Sequence, residues 1–139
     1  MSSTVFVDSA YLIALAVSDD QHHRAALDLA GALDENDTRF VTARAIFLEI
    51  GSALSKSHLR SAACKIFDLM ENDRRVSLVE LEPPVLADAY ALFRGRMDKE
   101  WSLTDCVSFV VMKEWEISDA LTTDVHFEQA GFRALLRKN

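Results

Sequence analysis

Short apolar runs alternate with longer amphipathic stretches along this chain. The stretches carry apolar residues at spacings of three and four, which is typical of helices that pack through one face. Alternating strands and helices predict βαβ units, in which helices cover both faces of a parallel sheet. We therefore predict an α/β fold, a three-layer sandwich with a short central parallel sheet. The predicted strands are Thr4 to Asp8, Arg39 to Thr42, Val76 to Leu81, Asp119 to Thr122 and Phe132 to Leu135.

The regions between these strands predict the helices. Ser9 is interpreted as the cap of the first helix, since serine accepts hydrogen bonds from free backbone N–H groups at that position. Pro83-Pro84 suits the first turn of another helix, where proline loses no hydrogen bond. A short turn or helix is expected through Phe127. The predicted helices are 9–16, 21–33, 43–54, 59–71, one that begins at residue 83, and 104–115.

Composition indicates a folded domain. Half of the 139 residues are hydrophobic and only 4 Gly and 2 Pro are present, so we predict a single domain over residues 1–139. No stretch approaches the roughly 20 apolar residues that cross a membrane, and we expect no signal peptide because Met1–Thr4 leads directly into a strand. Cys64 and Cys106 form no metal motif. They are interpreted as buried free thiols, which favours a cytoplasmic location.

The formal net charge of −7 does not by itself indicate a nucleic-acid-binding protein. Proteins that bind nucleic acid are usually basic, because contacts with phosphates supply much of the affinity. Cations bound in an acidic pocket would offset part of this charge, and a basic partner could cover part of the surface.

Four carboxylates lie where their surroundings are apolar. They are at the end of the first predicted strand, within the third predicted helix, in the first turn of the helix before the fourth strand, and after that strand. In this order they are Asp8, Glu49, Asp105 and Asp124. Acids against buried surface are costly unless they are paired, protonated or bound to a cation.

The predicted topology allows these acids to meet. In open parallel α/β sheets, ligands bind beyond the carboxyl ends of the strands, and all four acids can face that edge. Carboxylate oxygens suit Mg²⁺ or Mn²⁺, and two such ions can stabilise both oxygens of a phosphodiester displacement. Without metal the like charges repel, so we expect at least one raised pKa and stabilisation by metal.

Four segments, each containing one of these acids, resemble the motifs of one family. They are Val5–Leu15, Phe47–Leu54, Trp101–Phe109 and Ala120–Phe132. One motif alone is weak evidence, but four in order across nearly the whole chain are specific. The chain resembles the PIN-domain family, particularly its small prokaryotic members of the VapC toxin type.

The resemblance implies a divalent-metal-dependent endoribonuclease that hydrolyses RNA phosphodiester bonds with Mg²⁺ or Mn²⁺. Asp8 and Asp105 match direct metal ligands of the family. Glu49 and Asp124 match the residues that complete the site, directly or through water, and could orient the nucleophile. All four acids of the family's quartet are therefore present in this chain.

The resemblance also implies partners. A homodimer is expected, and toxin members pair with an antitoxin that occupies the active-site groove. Two alternatives stay open: a free-standing RNA-processing nuclease without antitoxin, and a PIN-fold module that binds without catalysis. Thr104 and Thr123 adjoin the acids, and their hydroxyls are candidates to bind water or phosphate.

Each acid also has a purely structural interpretation. Asp8 and Asp124 could cap the segments that follow them, Asp105 could interact with a helix dipole, and Glu49 could be partly exposed. His126 could touch a phosphate, although a role at a helix start is favoured. Packing is favoured for Trp101. Five cationic residues could line the groove, although each is more often only a solubilising charge: Arg24, Arg44, Lys56, Arg60 and Lys65.

Two other phosphate-handling folds fit less well. A phosphoacceptor receiver domain needs paired acids after its first strand and an Asp ending its third, but here Asp8 stands alone and the third strand ends Val79-Glu80-Leu81-Glu82. A haloacid-dehalogenase-type phosphatase needs a second Asp two residues after the first, where this chain has Ala10.

Overall fold

The structure is a computed structural model that describes residues 3–137. Both limits of the predicted 1–139 domain lie outside the described residues, and so do the first two residues of the Met1–Thr4 segment. Among residues 3–137 no helix is both long enough and apolar enough to cross a membrane.

Five strands form one sheet in which every neighbouring pair is parallel. The strand order is β3-β2-β1-β4-β5, so the first strand lies at the centre and is flanked by β2 and β4. A central strand of a parallel sheet is covered on both faces, which explains why it is a continuous apolar run. The strands are β1 (Thr4–Val7), β2 (Arg39–Ala43), β3 (Val76–Val79), β4 (Asp119–Leu121) and β5 (Arg133–Ala134).

Seven α-helices flank the sheet within residues 3–137, which confirms the predicted α/β sandwich. The α1 helix contacts α2, α3 and α4, and α5 packs along α6. A short 3₁₀ turn at Ser57–Leu59 joins α3 to α4. The helices are α1 (Ser9–Ala16), α2 (His23–Glu35), α3 (Arg44–Ala53), α4 (Arg60–Asn72), α5 (Pro83–Gly95), α6 (Leu103–Glu114) and α7 (Val125–Gln129).

Three predictions about local structure were wrong. The third strand ends at Val79 instead of Leu81, because its partner strand β2 ends opposite it at Ala43. Ser9 is the first residue of α1 and Asp8 occupies the cap position, so the Ser9 hydroxyl is available for another contact. Cys64 is exposed, whereas Cys106 is buried as predicted.

The two strands at the centre of the sheet end side by side. Val7 pairs with Leu121, and the backbone N–H of Asp8 donates to the carbonyl of Leu121 at 3.3 Å. On the other flank, the buried Thr42 hydroxyl donates to the carbonyl of Val7 at 2.8 Å. These bonds hold the residues that follow β1 and β4 at one edge of the sheet, where ligands bind in parallel α/β folds.

Candidate active site

Asp8 is a buried acid at the carboxyl end of β1, with only 5% of its surface exposed. Its Oδ2 accepts a hydrogen bond of 2.6 Å from the hydroxyl of Thr122, which is itself fully buried. Burial raises the pKa of Asp8 to about 7, and repulsion from Glu49 and Asp105 adds to the rise against the opposing Thr122 bond. The side chain makes no capping hydrogen bond to α1, so the structure does not support capping as its role.

Glu49 projects from α3 and is half-buried, which is more enclosed than a solvated surface acid. One of its carboxylate oxygens accepts a hydrogen bond from the Ser9 hydroxyl at the start of α1. Burial raises the pKa of Glu49, as does repulsion from Asp105 and Asp124. Its neighbours therefore include the other acids predicted to share the site.

Asp105 lies in the first turn of α6 and is 8% exposed. It forms a reciprocal capping box with Ser102: the Asp105 backbone N–H donates to Ser102 Oγ, and the Ser102 backbone N–H donates to Asp105 Oδ2, both at 3.0 Å. Burial is the main reason that the pKa of Asp105 is raised, with repulsion from Asp124 adding to it. The predicted structural role at the helix start is therefore real, and it holds this carboxylate in place.

Asp124 is the N-cap residue of α7. Its Oδ1 accepts from the backbone N–H of His126 at 2.9 Å, while its own N–H donates to the Thr122 hydroxyl at 3.1 Å. Thr122 therefore links Asp124 to Asp8, because the same hydroxyl donates to Asp8. The cap interpretation is confirmed, and it leaves the second oxygen of Asp124 outside this cap.

His126 joins two of the acids. Its Nδ1 donates to Asp105 Oδ2 at 3.2 Å and lies 3.3 Å from Asp124 Oδ1. One ligand atom each of Asp105, Asp124 and His126 lies within 4.8 Å of the others. An imidazole between two carboxylates has the geometry of a group that positions metal-binding acids.

The four predicted acids lie close to one another in a cluster that we call the acidic crevice. Five of their six pairs repel strongly enough to raise a pKa: Asp8 with Glu49 and Asp105, Glu49 with Asp105 and Asp124, and Asp105 with Asp124. Segments that are distant in the chain supply these four acids, namely the residue after β1, α3, α6 and the loop after β4. The structure thus places the acids together, as the strand-end argument predicted.

An aromatic cluster supports the two acids that lie at helix starts. The Phe109 ring, one turn beyond Asp105, packs edge-on against the Phe127 ring of α7 with centroids 5.0 Å apart. The Trp101 and Phe109 rings are 5.1 Å apart, and Trp101 is buried, which agrees with its predicted packing role. Edge-to-face aromatic pairs at this spacing are favourable and fix the relative position of α6 and α7.

Sequence reasoning missed two hydroxyls of this site and emphasised two others. Ser9 and Thr122 bind the acids, whereas it was Thr104 and Thr123 that were predicted to support the site. Within residues 3–137 the hydrogen bonds of that pair involve their carbonyls, which accept from Ser108 Oγ (3.2 Å) and Arg137 Nη1 (3.4 Å). Their hydroxyls remain candidates for water or phosphate.

The donor set fits a hard divalent cation. Four carboxylates offer oxygen ligands, which Mg²⁺ and Mn²⁺ prefer, and Mn²⁺ also tolerates a nearby imidazole nitrogen such as that of His126. Burial is the main cause of the raised pKa values of Asp8, Glu49 and Asp105, and repulsion between the acids adds to it; a bound cation would favour the ionised form of each and relieve that repulsion.

Solved structures share this fold. VapC20 from Mycobacterium tuberculosis, described as a sarcin-ricin loop cleaving toxin, superposes with a TM-score of 0.83 at 23% identity, covering 92% of this chain and 95% of that one. A chain of VapBC2 from Rickettsia felis, bound to a DNA fragment from their promoter, gives 0.64 at 12% identity, with coverages of 96% and 97%. FitAcB from Neisseria gonorrhoeae gives 0.62 at 15% identity, with 94% of each chain covered.

The family comparison covers most of the chain. A search of curated proteins found no match. The family model described as PIN domain matches residues 5–133, a span that contains all four acids of the crevice. The resemblance that the four motifs indicated is therefore confirmed, and this chain belongs to the PIN domain family.

Proposed function

We propose that this chain is a divalent-metal-dependent endoribonuclease that hydrolyses RNA phosphodiester bonds, built as a single PIN-like domain over residues 1–139. The observation that carries the proposal is the convergence of Asp8, Glu49, Asp105 and Asp124 on one crevice, where burial and mutual repulsion raise the pKa of three of them. A structural cluster of acids would be neutralised by Lys or Arg, but among residues 3–137 no ion pair joins any of these four acids to Lys or Arg, and the imidazole of His126 contacts two of them.

The crevice acids are assigned complementary tasks. Asp8 and Asp105 would hold Mg²⁺ or Mn²⁺, and Glu49 and Asp124 would complete the site directly or through water. A bound divalent ion would supply Lewis-acid stabilisation of the charge that develops on the phosphodiester.

The hydrogen-bond donors around the acids determine which carboxylate oxygens remain free to bind a cation. The Thr122 hydroxyl engages Asp8 Oδ2, so Oδ1 is the oxygen left to carry a proton or bind a cation. His126 holds Asp105 and Asp124 at a fixed separation and orients their remaining oxygens. Thr104 and Thr123 are assigned to water or phosphate.

The toxin of a type II toxin–antitoxin pair is the physiological role that we propose. The superposition on VapC20, described as a toxin, and on chains of VapBC2 and FitAcB supports it. An antitoxin with a basic segment would complement the net charge of −7. We further propose a homodimer located in the cytoplasm.

A cleavage assay tests the nuclease proposal. Purified protein is incubated with a pool of structured RNAs in Mg²⁺, in Mn²⁺ and in EDTA. The wild type should cut only with metal, and Asp8→Asn or Asp105→Asn should abolish cutting while the protein stays folded. Asp88→Asn, which changes an exposed acid of α5, is the matched control and should cut normally.

The outcomes separate the proposed function from its alternatives. Cutting by either site variant at the wild-type rate would make the site assignment wrong. If metal-dependent cleavage occurs but expression does not arrest growth, or if it arrests growth and no adjacent reading frame relieves the arrest, the free-standing nuclease is favoured. Metal binding without cleavage of any RNA would favour a non-catalytic binding module.

A further inference from the structure

The corner between α3 and α4 lacks acids in a chain that is otherwise acidic. The whole sequence contains 22 Asp and Glu among 139 residues, yet none occurs from residue 50 to residue 67. The same segment contains three formally positive side chains and one histidine. We call these residues the basic corner: Lys56, His58, Arg60 and Lys65.

The cations of the basic corner lie in a segment without acids, and no carboxylate of the described residues holds them. Elsewhere many Arg and Lys side chains are held by carboxylates, as with Arg44 by Glu71 and Glu80 at 3.2 and 2.8 Å. Among residues 3–137, the ion pairs include none of the four corner residues. The full set of paired Arg and Lys is Arg44, Arg75, Arg96, Lys99, Arg133 and Arg137.

The charged side chains of the basic corner face solvent, and contacts within the turn hold them there. All four of its side chains are exposed. Leu54 is buried and anchors the end of α3, and Arg60 Nη1 donates to the carbonyl of Ser55 at 2.9 Å, which closes the turn. Folding neither buries nor neutralises the charges on Lys56 and Lys65, so they remain available to an external anion.

Hydroxyls accompany these cations. Four serines of the same segment are exposed, and together with Lys and Arg they are residue types that make most protein contacts to phosphate oxygens. This mixture favours a phosphodiester backbone over a protein carboxylate, because an acidic peptide is recognised mainly through the cations. The serines are Ser52, Ser55, Ser57 and Ser61.

The basic corner is close to the acidic crevice along the chain. Glu49 lies four residues before the end of α3, and Lys56 follows that end by three residues. At about 1.5 Å per helical residue and at most about 3.5 Å per extended residue, the two Cα atoms are no more than about 17 Å apart. A few nucleotides of one strand would span that distance.

We propose that the basic corner binds the backbone phosphates of the RNA strand whose scissile bond enters the acidic crevice. This inference rests on the proposed nuclease function. A crevice of four acids in a chain of net charge −7 repels a polyanion, so productive binding needs a local positive surface beside it. The described structure presents such a surface at the corner, whose first cation, Lys56, follows Glu49 by seven residues.

Salt-dependent binding tests this proposal without requiring catalysis. The double variant Lys56→Gln/Lys65→Gln removes two corner charges and preserves the Arg60–Ser55 contact. The matched control Arg74→Gln/Arg94→Gln removes two exposed cations that belong to none of the ion pairs described for residues 3–137. Anisotropy of a labelled single-stranded RNA is measured in EDTA over a series of salt concentrations.

The corner variant should bind about 10-fold more weakly at low salt, and its slope of log affinity against log salt should fall by about 1.4, since each lost single-strand phosphate contact removes about 0.7. The control should keep the wild-type slope. Equal slopes in the corner variant and the wild type, or no RNA binding by the wild type, would overturn the proposal.

Cleavage by the same variants separates this proposal from the nuclease proposal. If the wild type never cuts RNA but the corner variant loses binding as expected, the nuclease assignment fails and the corner stands only as a surface that binds RNA phosphates. If the wild type cuts with metal and the corner variant binds and cuts equally well, the nuclease stands and the corner assignment fails.

Discussion

At the level of the residue, Asp8 is a side chain whose burial lowers stability while placing its carboxylate where a cation could bind. It is nearly completely buried, and the Thr122 hydroxyl is a neutral partner that offsets only part of the desolvation. Burying a carboxylate without a cation favours its protonated form. The burial of Asp8 therefore lowers the stability of the metal-free protein, and binding of a divalent ion would offset this loss.

This cost predicts how stability changes with pH. The folded-state pKa of Asp8 is about 7, against an ordinary value of 3.8, so between these values the folded protein holds a proton that the unfolded chain has released. The contribution of Asp8 to stability therefore falls as pH rises through this window, by at most about 4 kcal/mol. Asp8→Asn should flatten the decline and be more stable than the wild type above pH 7 in EDTA.

Urea unfolding across that pH window measures the effect. Asp88→Asn, an exposed acid of α5, should follow the wild-type curve and is the control. The remaining slope of Asp8→Asn should reflect Glu49 and Asp105, whose pKa values are also raised. If the free energy of unfolding of the wild type instead rose steadily from acid to neutral pH, the raised pKa of Asp8 in the folded protein would be contradicted.

At the level of elements, two helices begin at the site and use its acids as caps. Asp105 completes the capping box of α6, and Asp124 caps α7. The structural and functional interpretations of these residues, which look like alternatives in the sequence, are both true. A carboxylate that already accepts a backbone hydrogen bond has fewer rotamers to lose when it binds a ligand.

The capping box gives a prediction about α6. Ser102→Ala removes the hydroxyl that accepts the Asp105 N–H, which should destabilise the protein by about 1 kcal/mol. The bond from the Ser102 backbone N–H to Asp105 Oδ2 does not need the hydroxyl, but the first turn of α6 that holds this carboxylate would be less constrained, so metal affinity should fall. Chemical denaturation and metal titration by calorimetry measure the two effects. Ser118→Ala, exposed before β4, is the control, and equal behaviour of the two variants would contradict a positioning role for the box.

The elements also show what could be predicted from the sequence. Apolar runs report burial, so the strands and the acids that follow β1 and β4 were recognisable. The partners of those acids were not, because Thr122 and Asp8 are 114 positions apart and Ser9 and Glu49 are 40 apart. Ser9 was misread because its local sequence suits a cap, whereas its hydroxyl bonds to Glu49 on another helix.

Over the whole molecule, the mutual repulsion of the acids couples metal binding to stability. A ligand at about a hundred times its dissociation constant stabilises by about 2.7 kcal/mol, which raises Tm by about 10 °C for a domain of this size. Mg²⁺ or Mn²⁺ should produce such a rise, and EDTA should reverse it. Below pH 7 binding should also release protons, because Asp8 must ionise to bind a cation.

Thermal unfolding with and without metal measures the first effect, and calorimetry in two buffers of different ionisation enthalpy measures the second. The double variant Asp8→Asn/Asp105→Asn should lose both. An equal Tm rise in this variant would place the cation elsewhere on the protein.

The largest concentration of exposed apolar side chains on one helix bears on the proposed homodimer. Tyr90 and Phe93 are 43% and 47% exposed, and their spacing of three residues places them in a stripe on one side of α5, while Met97 in the turn just beyond the helix is 86% exposed. A second copy would cover this stripe. Phe93→Glu would cost about 1.5 kcal/mol in each subunit and weaken the dimer about 100-fold.

Sedimentation velocity over a concentration series measures this change. Leu27→Glu on α2 is the matched control, because Leu27 is also 43% exposed but lies on a different helix. The control should stay dimeric where Phe93→Glu becomes monomeric, and both should keep wild-type circular dichroism. A wild type that is monomeric throughout would contradict the homodimer, and the stripe would then be left to the antitoxin, whose addition should protect Phe93 from solvent.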